Sequence, residues 1–199
     1  MTTNLGPAGL TVKLWLFLFQ TSDVLRTCTD DLLKKYKITS EQYDVLATVK
    51  YLGDRVNMTD MANFLRRSPN SVSMLADRMV KAGLVRRIRD KRDRRVVYVT
   101  ATSKGEDILK LASPPTWEFI QEILSPLSPE DRGTFLNLFK IIERKALEYL
   151  NPGKSIDEII KDRDKRHAGL MKRVPPYAGV VSPRARHQGR KKGKTTEPR

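Results

Sequence analysis

The segment between residues 66 and 105 most constrains how this chain can fold, because an amphipathic helix with clear start and stop signals runs directly into a short, very basic hairpin. Ser68 is a favoured N-cap residue, and Pro69 suits the first helical position, where a missing backbone N–H costs nothing. Gly83 stands where a left-handed residue would end the helix. The segment therefore predicts a helix that begins at Pro69 and ends just before Gly83.

The two faces of this predicted helix differ in character. Its apolar residues recur at helical spacing and predict one buried stripe of Val72, Leu75, Ala76 and Met79. The other face is small, polar and basic apart from Asp77, and such a face suits the major groove of DNA, where short polar side chains reach base edges. The candidate DNA-contacting residues on this helix are Ser68, Pro69, Asn70, Ser71, Ser73, Met74 and Arg78.

A charged hairpin follows the helix. Alternating or β-branched runs at residues 84–89 and 96–100 predict two strands joined by a charged tip. Residues 66–95 contain eleven Lys and Arg against three acids. Such a cluster is often only a solvated face, but its position beside a polar-faced helix favours phosphate binding. The candidate contacts are Lys91, Arg92, Asp93, Arg94 and Arg95 on the hairpin, with Arg66 and Arg67 as further phosphate contacts.

The spacing of the hairpin residues carries a resemblance to a known family. Asp90 is followed after two residues by Asp93-Arg94-Arg95, then by an apolar strand and by Thr102-Ser103-Lys104-Gly105. In this pattern the chain resembles the multiple antibiotic resistance regulator (MarR) family of winged helix-turn-helix repressors, over about residues 10–150. It departs from the family at Arg66 and Arg67, where relatives usually have Gly and an apolar residue, and at Ala101, which replaces a leucine.

The resemblance implies an α+β fold, mainly α, with a winged helix-turn-helix and N- and C-terminal dimerisation helices. It also implies a homodimeric transcriptional regulator, of repressor type, that binds a pseudo-palindromic operator in double-stranded DNA. The recognition helix would enter the major groove and the wing the minor groove, with Arg94 foremost and Asp93 bracing an arginine. Family members often bind small aromatic effectors, for which Trp15, Phe19 and Tyr43 are candidates, although core packing explains these three side chains equally well.

The remaining elements were predicted from caps and apolar spacing. A long apolar helix over residues 10–36 indicates either a core helix of a monomer or a dimer interface. Residues 40–51 predict a second helix. Val56 predicts a brief strand that pairs with the wing, and Asn57 an N-cap for a helix over residues 58–65.

The C-terminal half of the chain predicts two more long helices. Residues 102–124 form a helical pattern, which Pro114-Pro115 is expected to kink or break near Ser113 because proline lacks a backbone donor. Ser128-Pro129 opens another helix that runs to Leu150.

Composition suggests one domain followed by a basic tail. Residues 1–150 are expected to form a DNA-binding and dimerisation domain, with the DNA-binding lobe at about residues 40–105. Asn151-Pro152-Gly153 marks the boundary of this domain. Residues 151–199 predict a basic, disordered tail with a short helix that starts at Ser155. Residues 166–199 have ten Lys and Arg against one acid. This tail is either a phosphate-binding arm or a solubility tail.

The net charge and the scarcity of reactive side chains limit the classes of function that this chain can have. A net charge of +15 indicates an anionic partner, nucleic acid before membrane. The chain has no glycine-rich phosphate loop and no Cys/His cluster, and its two histidines lie in the tail, so neither an enzyme nor a metal or cofactor site is expected. Cys28 cannot form an internal disulfide, which favours a cytoplasmic location. The apolar run at residues 14–19 is far too short for a membrane span, which needs roughly 20 apolar residues.

Two other functions remain open from the sequence. A winged-helix architectural or RNA-binding protein would use the same positive charge without choosing a sequence. A protein-interaction adaptor would keep the fold without binding DNA, but it would have no use for the dense Arg and Lys of the helix and hairpin. The ratio of specific to non-specific affinity at fixed salt separates the first alternative from a sequence-specific regulator.

Overall fold

The computed structural model describes residues 6–53, 55–93, 95–161 and 164, and it shows a mainly helical α+β fold. A single 3₁₀ turn, Lys34–Tyr36, follows the first helix, and residues 156–161 are helical after the last long helix. The helices are α1 (Pro7–Leu33), α2 (Ser40–Leu52), α3 (Met58–Leu65), α4 (Pro69–Lys81), α5 (Ser103–Leu124) and α6 (Pro129–Leu150). The strands are β1 (Val56–Asn57), β2 (Val85–Arg89) and β3 (Val97–Ala101).

The three strands form an antiparallel sheet in the order β1-β3-β2. Val99 on β3 is paired with Val56 on one side and with Arg87 on the other. The brief strand at Val56 and its pairing with the wing are therefore confirmed, and both hairpin strands lie within one residue of their predicted bounds.

The main core lies between α2, α3, α4, the sheet and the first half of α5. All four residues of the predicted stripe on α4 are buried, and Val72, Ala76 and Met79 are completely so. Leu46 of α2 and Met61 of α3 are also fully buried in this cluster. Because α4 buries one face completely, its polar face is turned outward.

Side-chain caps set where most of the helices begin. Ser68, Asn57 and Ser128 each accept a hydrogen bond from the backbone N–H three residues later, as predicted, and Thr102 does the same at the start of α5. At α2 the cap is Thr39, which forms a reciprocal capping box with Gln42. At the end of α4, Gly83 has a φ of +69°, the left-handed conformation expected of a residue that stops a helix.

The predicted break at Pro114-Pro115 is wrong, because α5 runs without interruption through both prolines. The prolines remove the backbone donors to the carbonyls of Lys110 and Leu111, but the side chains of these residues are exposed and their turn lies at the surface, where water can bond the carbonyls. On the inner side of the helix Ala112 and Thr116 are buried, and the Thr116 hydroxyl donates to the Ala112 carbonyl at 2.8 Å. Tertiary packing on that side offsets the intrinsic cost of the prolines, about 3 kcal/mol each.

Several helices leave large apolar side chains uncovered, α1 and α6 most of all. The first half of α1 exposes Leu10, Val12, Leu14, Trp15, Leu16, Phe17 and Phe19, and α6 exposes Phe135, Leu136, Leu138, Phe139, Ile141 and Ile142. Among the described residues, no helix is both long enough and apolar enough to cross a membrane.

Gly105 explains the Thr-x-x-Gly pattern at the start of α5. A Cβ at this buried position would collide with the Leu84 backbone carbonyl and would lie 3.0 Å from Leu46 Cδ2. Thr102 fixes the same junction, since its hydroxyl donates to the Gly83 carbonyl at 2.6 Å and accepts from the Gly105 N–H at 3.1 Å. The absence of a side chain is therefore what lets α5 begin against the end of α4.

We expect Gly105→Ala to lower the free energy of unfolding by about 1–3 kcal/mol, the usual cost of overpacking a site whose neighbour is rigid backbone. Gly133→Ala on α6 is the matched control, because a Cβ there meets nothing within 4 Å. The control should instead stabilise the protein by up to about 1 kcal/mol through helix propensity. Urea unfolding monitored by circular dichroism measures both, and equal effects of the two substitutions would contradict the steric explanation.

Candidate nucleic-acid interface

The outer face of α4 presents the side chains that were predicted to contact DNA. Asn70, Met74 and Arg78 are exposed, and Met74 is 66% accessible although it is apolar. Ser68 and Ser71 share a local network at the helix start, in which Ser68 Oγ accepts from the Ser71 N–H at 3.1 Å and the two hydroxyls lie 2.8 Å apart. Together with exposed Pro69 these residues form a polar surface at the positive end of the helix dipole, which suits an anion.

Ser73 differs from its neighbours on this face. It is half-buried, and Arg87 of β2 donates hydrogen bonds from Nη2 to both its carbonyl oxygen and its hydroxyl, each at 3.0 Å. The same guanidinium places Nη1 3.0 Å from Asp77 Oδ1. The wing and the recognition helix are therefore joined directly by side chains.

Two acids shape the tip of the wing. Asp90 Oδ1 accepts from the backbone N–H groups of Arg92 at 2.7 Å and Asp93 at 3.1 Å, and Asp93 Oδ1 accepts from the Arg95 N–H at 2.9 Å. These backbone bonds to Arg92 and Asp93, with a smaller contribution from the Arg55 charge, hold the pKa of Asp90 below its usual value. Asp93 thus binds the backbone of Arg95.

The cations of the wing point away from the core. Lys91, Arg92 and Arg95 are exposed around the tip that Asp90 and Asp93 fix, whereas Arg94 lies outside the described residues. The arrangement places several positive charges next to a turn of defined shape, which suits the phosphate-lined edges of a narrow groove.

Arg55 stabilises the base of the wing, a role that no local sequence pattern indicates. Its guanidinium lies 4.3 Å from the centre of the Tyr98 ring and 3.7 Å from Asp90 Oδ2. It lies next to β1, which pairs with β3 at the root of the hairpin. Only the pairing of Val56 with β3 could have indicated this contact in advance.

The turn before α4 departs from expectation in its contacts. Arg66 has a φ of +52°, a left-handed conformation that L side chains rarely adopt, and its guanidinium forms an ion pair with Glu143 of α6. Arg67 Nη1 lies 2.7 Å from Glu41 Oε1 on α2. Both arginines were expected to contact phosphates, but each is engaged with an acid of the same chain.

Comparison with known proteins identifies this arrangement. A family model described as MarR family matches residues 38–97. Transcriptional regulator HosA of Escherichia coli O157:H7 is 31% identical over 106 residues, which cover 52% of this chain and 76% of that protein. HTH-type transcriptional regulator PecS of Dickeya dadantii is 26% identical over 129 residues, 64% of this chain and 78% of that protein. A solved structure of the S. aureus MepR–DNA complex superposes with a TM-score of 0.60 at 26% identity, over 65% of this chain and 96% of that chain.

The chain belongs to the MarR family. The resemblance inferred from the wing spacing is therefore confirmed, as is the winged-helix fold. The MarR-family relatives are transcriptional regulators and not enzymes, so the expectation that this chain is not an enzyme agrees with its family. As a member of this family, the protein is a transcriptional regulator.

The three residues considered for a MarR-type effector pocket lie on two helices, α1 and α2. Trp15 and Phe19 on α1 form an edge-to-face pair with centroids 5.0 Å apart, and both are more than half exposed. The Tyr43 hydroxyl on α2 donates to Ser113 Oγ on α5 at 3.3 Å. A small cavity of about 210 Å³ is lined by other residues, namely Arg26, Asp30, Thr39, Glu41, Gln42, Leu75 and Arg78.

The lowered pKa of Asp90 predicts how the wing tip responds to acid. Because the folded-state pKa lies below the ordinary value of 3.8, the hydrogen bonds to the Arg92 and Asp93 amides are fully present above that value and are lost as the pH falls through the lowered pKa. We expect the amide resonances of Arg92 and Asp93 to titrate together in NMR spectra, with a midpoint below 3.8. The Asp90→Asn variant should abolish that titration, and a midpoint above 3.8 would contradict the proposed role of Asp90.

Proposed function

We propose that this MarR-family protein is a homodimeric, sequence-specific regulator of transcription, of repressor type, that binds a pseudo-palindromic site in double-stranded DNA. The observation that carries the proposal is the direct contact between α4 and the wing, made by Arg87 at 3.0 Å from Ser73. It supports a single surface on which a polar helix face and a cationic loop meet one duplex. The MepR structure, which is a protein–DNA complex, supports DNA as the ligand.

In this proposal the two parts of the surface have different roles. Asn70, Ser71, Ser73, Met74 and Arg78 contact base edges in the major groove, where amide, hydroxyl and guanidinium groups distinguish base pairs and a methyl-bearing side chain can touch thymine. The exposed cations Lys91, Arg92 and Arg95 follow the backbone beside the minor groove. Arg94, outside the described residues, remains the predicted minor-groove side chain.

The proposed dimer follows from the uncovered apolar surfaces of α1 and α6. Apolar patches of this size usually mark association, and each buried Å² of apolar surface contributes about 25 cal/mol. A second copy of the chain covers them in the proposal, and two lobes then face two half-sites. We further propose that residues 1–150 form this dimerisation and DNA-binding domain, and that the basic residues of 151–199 add phosphate contacts.

We also propose that a small aromatic effector releases the protein from DNA. Trp15 and Phe19 offer exposed aromatic faces on the same helix that carries the proposed interface. An apolar aromatic compound that packs on these rings would bind at the proposed dimer helices. Such binding regulates DNA affinity only if the compound prefers one spacing of the two lobes.

Substitution of Phe139 on α6 tests the dimer. Phe139 packs edge-to-face on Phe135, with centroids 4.7 Å apart, and 40% of it is exposed in the single chain. Phe139→Glu places a charge in the proposed interface, where desolvation without a partner is costly. Light scattering at micromolar concentration should give twice 22.8 kDa for the natural chain and a monomer mass for the variant. Asn137→Glu, on the opposite side of α6, should remain dimeric, and a monomeric natural chain would refute the interface.

Selection of binding sites from a random pool of duplexes tests sequence-specific function. A two-fold symmetric dimer should enrich inverted repeats with centres about 10 base pairs apart, one helical turn. Insertion of half a turn between the repeats should abolish tight binding. Enrichment of no sequence would favour the architectural alternative.

The selected duplex also separates base contacts from phosphate contacts. Asn70→Ala should weaken binding to that duplex by about 1–3 kcal/mol and hardly change binding to random DNA, because it removes a base-level contact. Lys91→Ala is the control for charge. It should weaken both by similar factors and reduce the slope of log K against log salt by about 0.9 for each chain of the dimer. Identical behaviour of the two variants would contradict the assignment of Asn70.

A further inference from the structure

Arg87 is an exposed arginine of the wing strand whose guanidinium contacts the recognition helix α4. Three contacts of 3.0 Å join its guanidinium to one turn of α4: two from Nη2 to the carbonyl and hydroxyl of Ser73, and one from Nη1 to Asp77. Its side chain is 31% exposed. A planar guanidinium that makes three contacts in this way fixes both distance and orientation, which a single ion pair does not.

The sheet explains why this arginine, among several, faces α4. Side chains alternate along a strand, so Arg87 lies on the same side of β2 as buried Val85 and opposite Val99 of β3, which is also buried. Arg87 therefore stands at the margin of the core, where the sheet packs on α4. Arg86 is exposed and alternates to the other side of the strand.

We propose that Arg87 is a positioning residue that locks the recognition helix to the wing, so that the major-groove and minor-groove elements meet the DNA in a fixed register. The inference rests on the proposed DNA-binding function and adds a residue that fixes the position of α4 relative to the wing. Asp77 and Ser73, four residues apart, give the guanidinium two anchor points along the helix axis. A rotation or shift of α4 relative to β2 would break at least one of the three contacts.

The same contacts give Asp77 a role that charge alone would not predict. Asp77 lies on the outer face of α4, where an unpaired carboxylate would repel phosphates, and it is 56% exposed. Paired with Arg87 it instead completes the lock and its charge is compensated. Removal of the Asp77 charge therefore has different expected effects in the two explanations. Electrostatics alone predicts tighter binding to all DNA with an unchanged ratio of specific to random affinity, whereas loss of the contact with Arg87 predicts a lower ratio.

Four variants of the full-length protein separate these accounts: Arg87→Ala, Arg87→Lys, Arg86→Ala and Asp77→Asn. Affinities are measured across a salt series for the duplex selected by the natural protein and for a random duplex of equal length. Arg86→Ala, which removes the same charge from the same strand, should weaken both affinities equally. Arg87→Ala should lower the ratio of specific to random affinity by roughly tenfold, within the range of couplings between contacting residues.

Arg87→Lys and Asp77→Asn are the decisive variants. Lysine keeps the charge but cannot reproduce the fork of donors, so binding to random DNA and its salt dependence should be retained while the specificity ratio falls. Asp77→Asn should lower the ratio too, and combining it with Arg87→Ala should lower the ratio no further than Arg87→Ala does alone. A natural ratio in Arg87→Lys, or tighter binding of Asp77→Asn to both duplexes without a loss of ratio, would overturn the proposal.

A measurement without DNA keeps this inference separate from the proposed function. Hydrogen exchange of the amides at residues 73–81 should be several-fold faster in Arg87→Ala and Arg87→Lys than in Arg86→Ala, because the lock stabilises α4 against local opening. If the natural protein shows no preference for any duplex, the proposed function fails, and the exchange rates still decide the lock. Unchanged exchange in both Arg87 variants would refute it.

Discussion

Burial of one face of α4 is the constraint on which the rest of the structure depends. Val72, Ala76 and Met79 are completely excluded from water, and they share a core with Leu46 and Val99. Because that face is buried, rotation of α4 about its axis would expose several apolar side chains at a cost of about 1.5–3 kcal/mol each. The outer face is therefore presented in one orientation, and its short polar side chains become available to a partner.

Outside the core, arginine pairs determine how the functional parts are joined. Arg55 holds the root of the wing, Arg67 joins the turn before α4 to α2, and Arg66 joins it to α6. Individually such exposed pairs contribute little, about 0–1 kcal/mol. Their value lies in position, because each joins residues of two different parts of the fold. A positive cluster that was interpreted as phosphate-binding is thus partly used for internal assembly, and exposed cations such as Lys91, Arg92 and Arg95 remain for an anionic ligand.

The sequence predicted those features that depend on local rules. The start of α4 at Pro69, its stop at Gly83 and its buried stripe follow from caps and periodicity, and the structure confirms all three. The local rule for proline failed at Pro114-Pro115, because the burial of residues on the inner side of α5 is a property of the whole fold. Contacts such as Arg66 with Glu143 join residues far apart in the chain, and no local pattern indicates them. The direction of the Arg87 side chain, by contrast, could have been derived from strand alternation once β2 and its buried Val85 were placed.

The unbroken course of α5 connects the two halves of the proposed mechanism. Its first turn is fixed to the wing root, since Thr102 caps the helix and bonds the Gly83 carbonyl while Gly105 packs on Leu84. Its far end leads through a short turn into α6, which carries the apolar surface proposed for the dimer. A break at the prolines would uncouple these ends, whereas a continuous helix links the orientation of one end to that of the other. In a dimer built through α1 and α6, the direction of α5 therefore sets the separation of the two recognition helices. A ligand that changes the packing of α1 against α5 would change the spacing of half-sites that the dimer can bind, without touching any residue that contacts DNA.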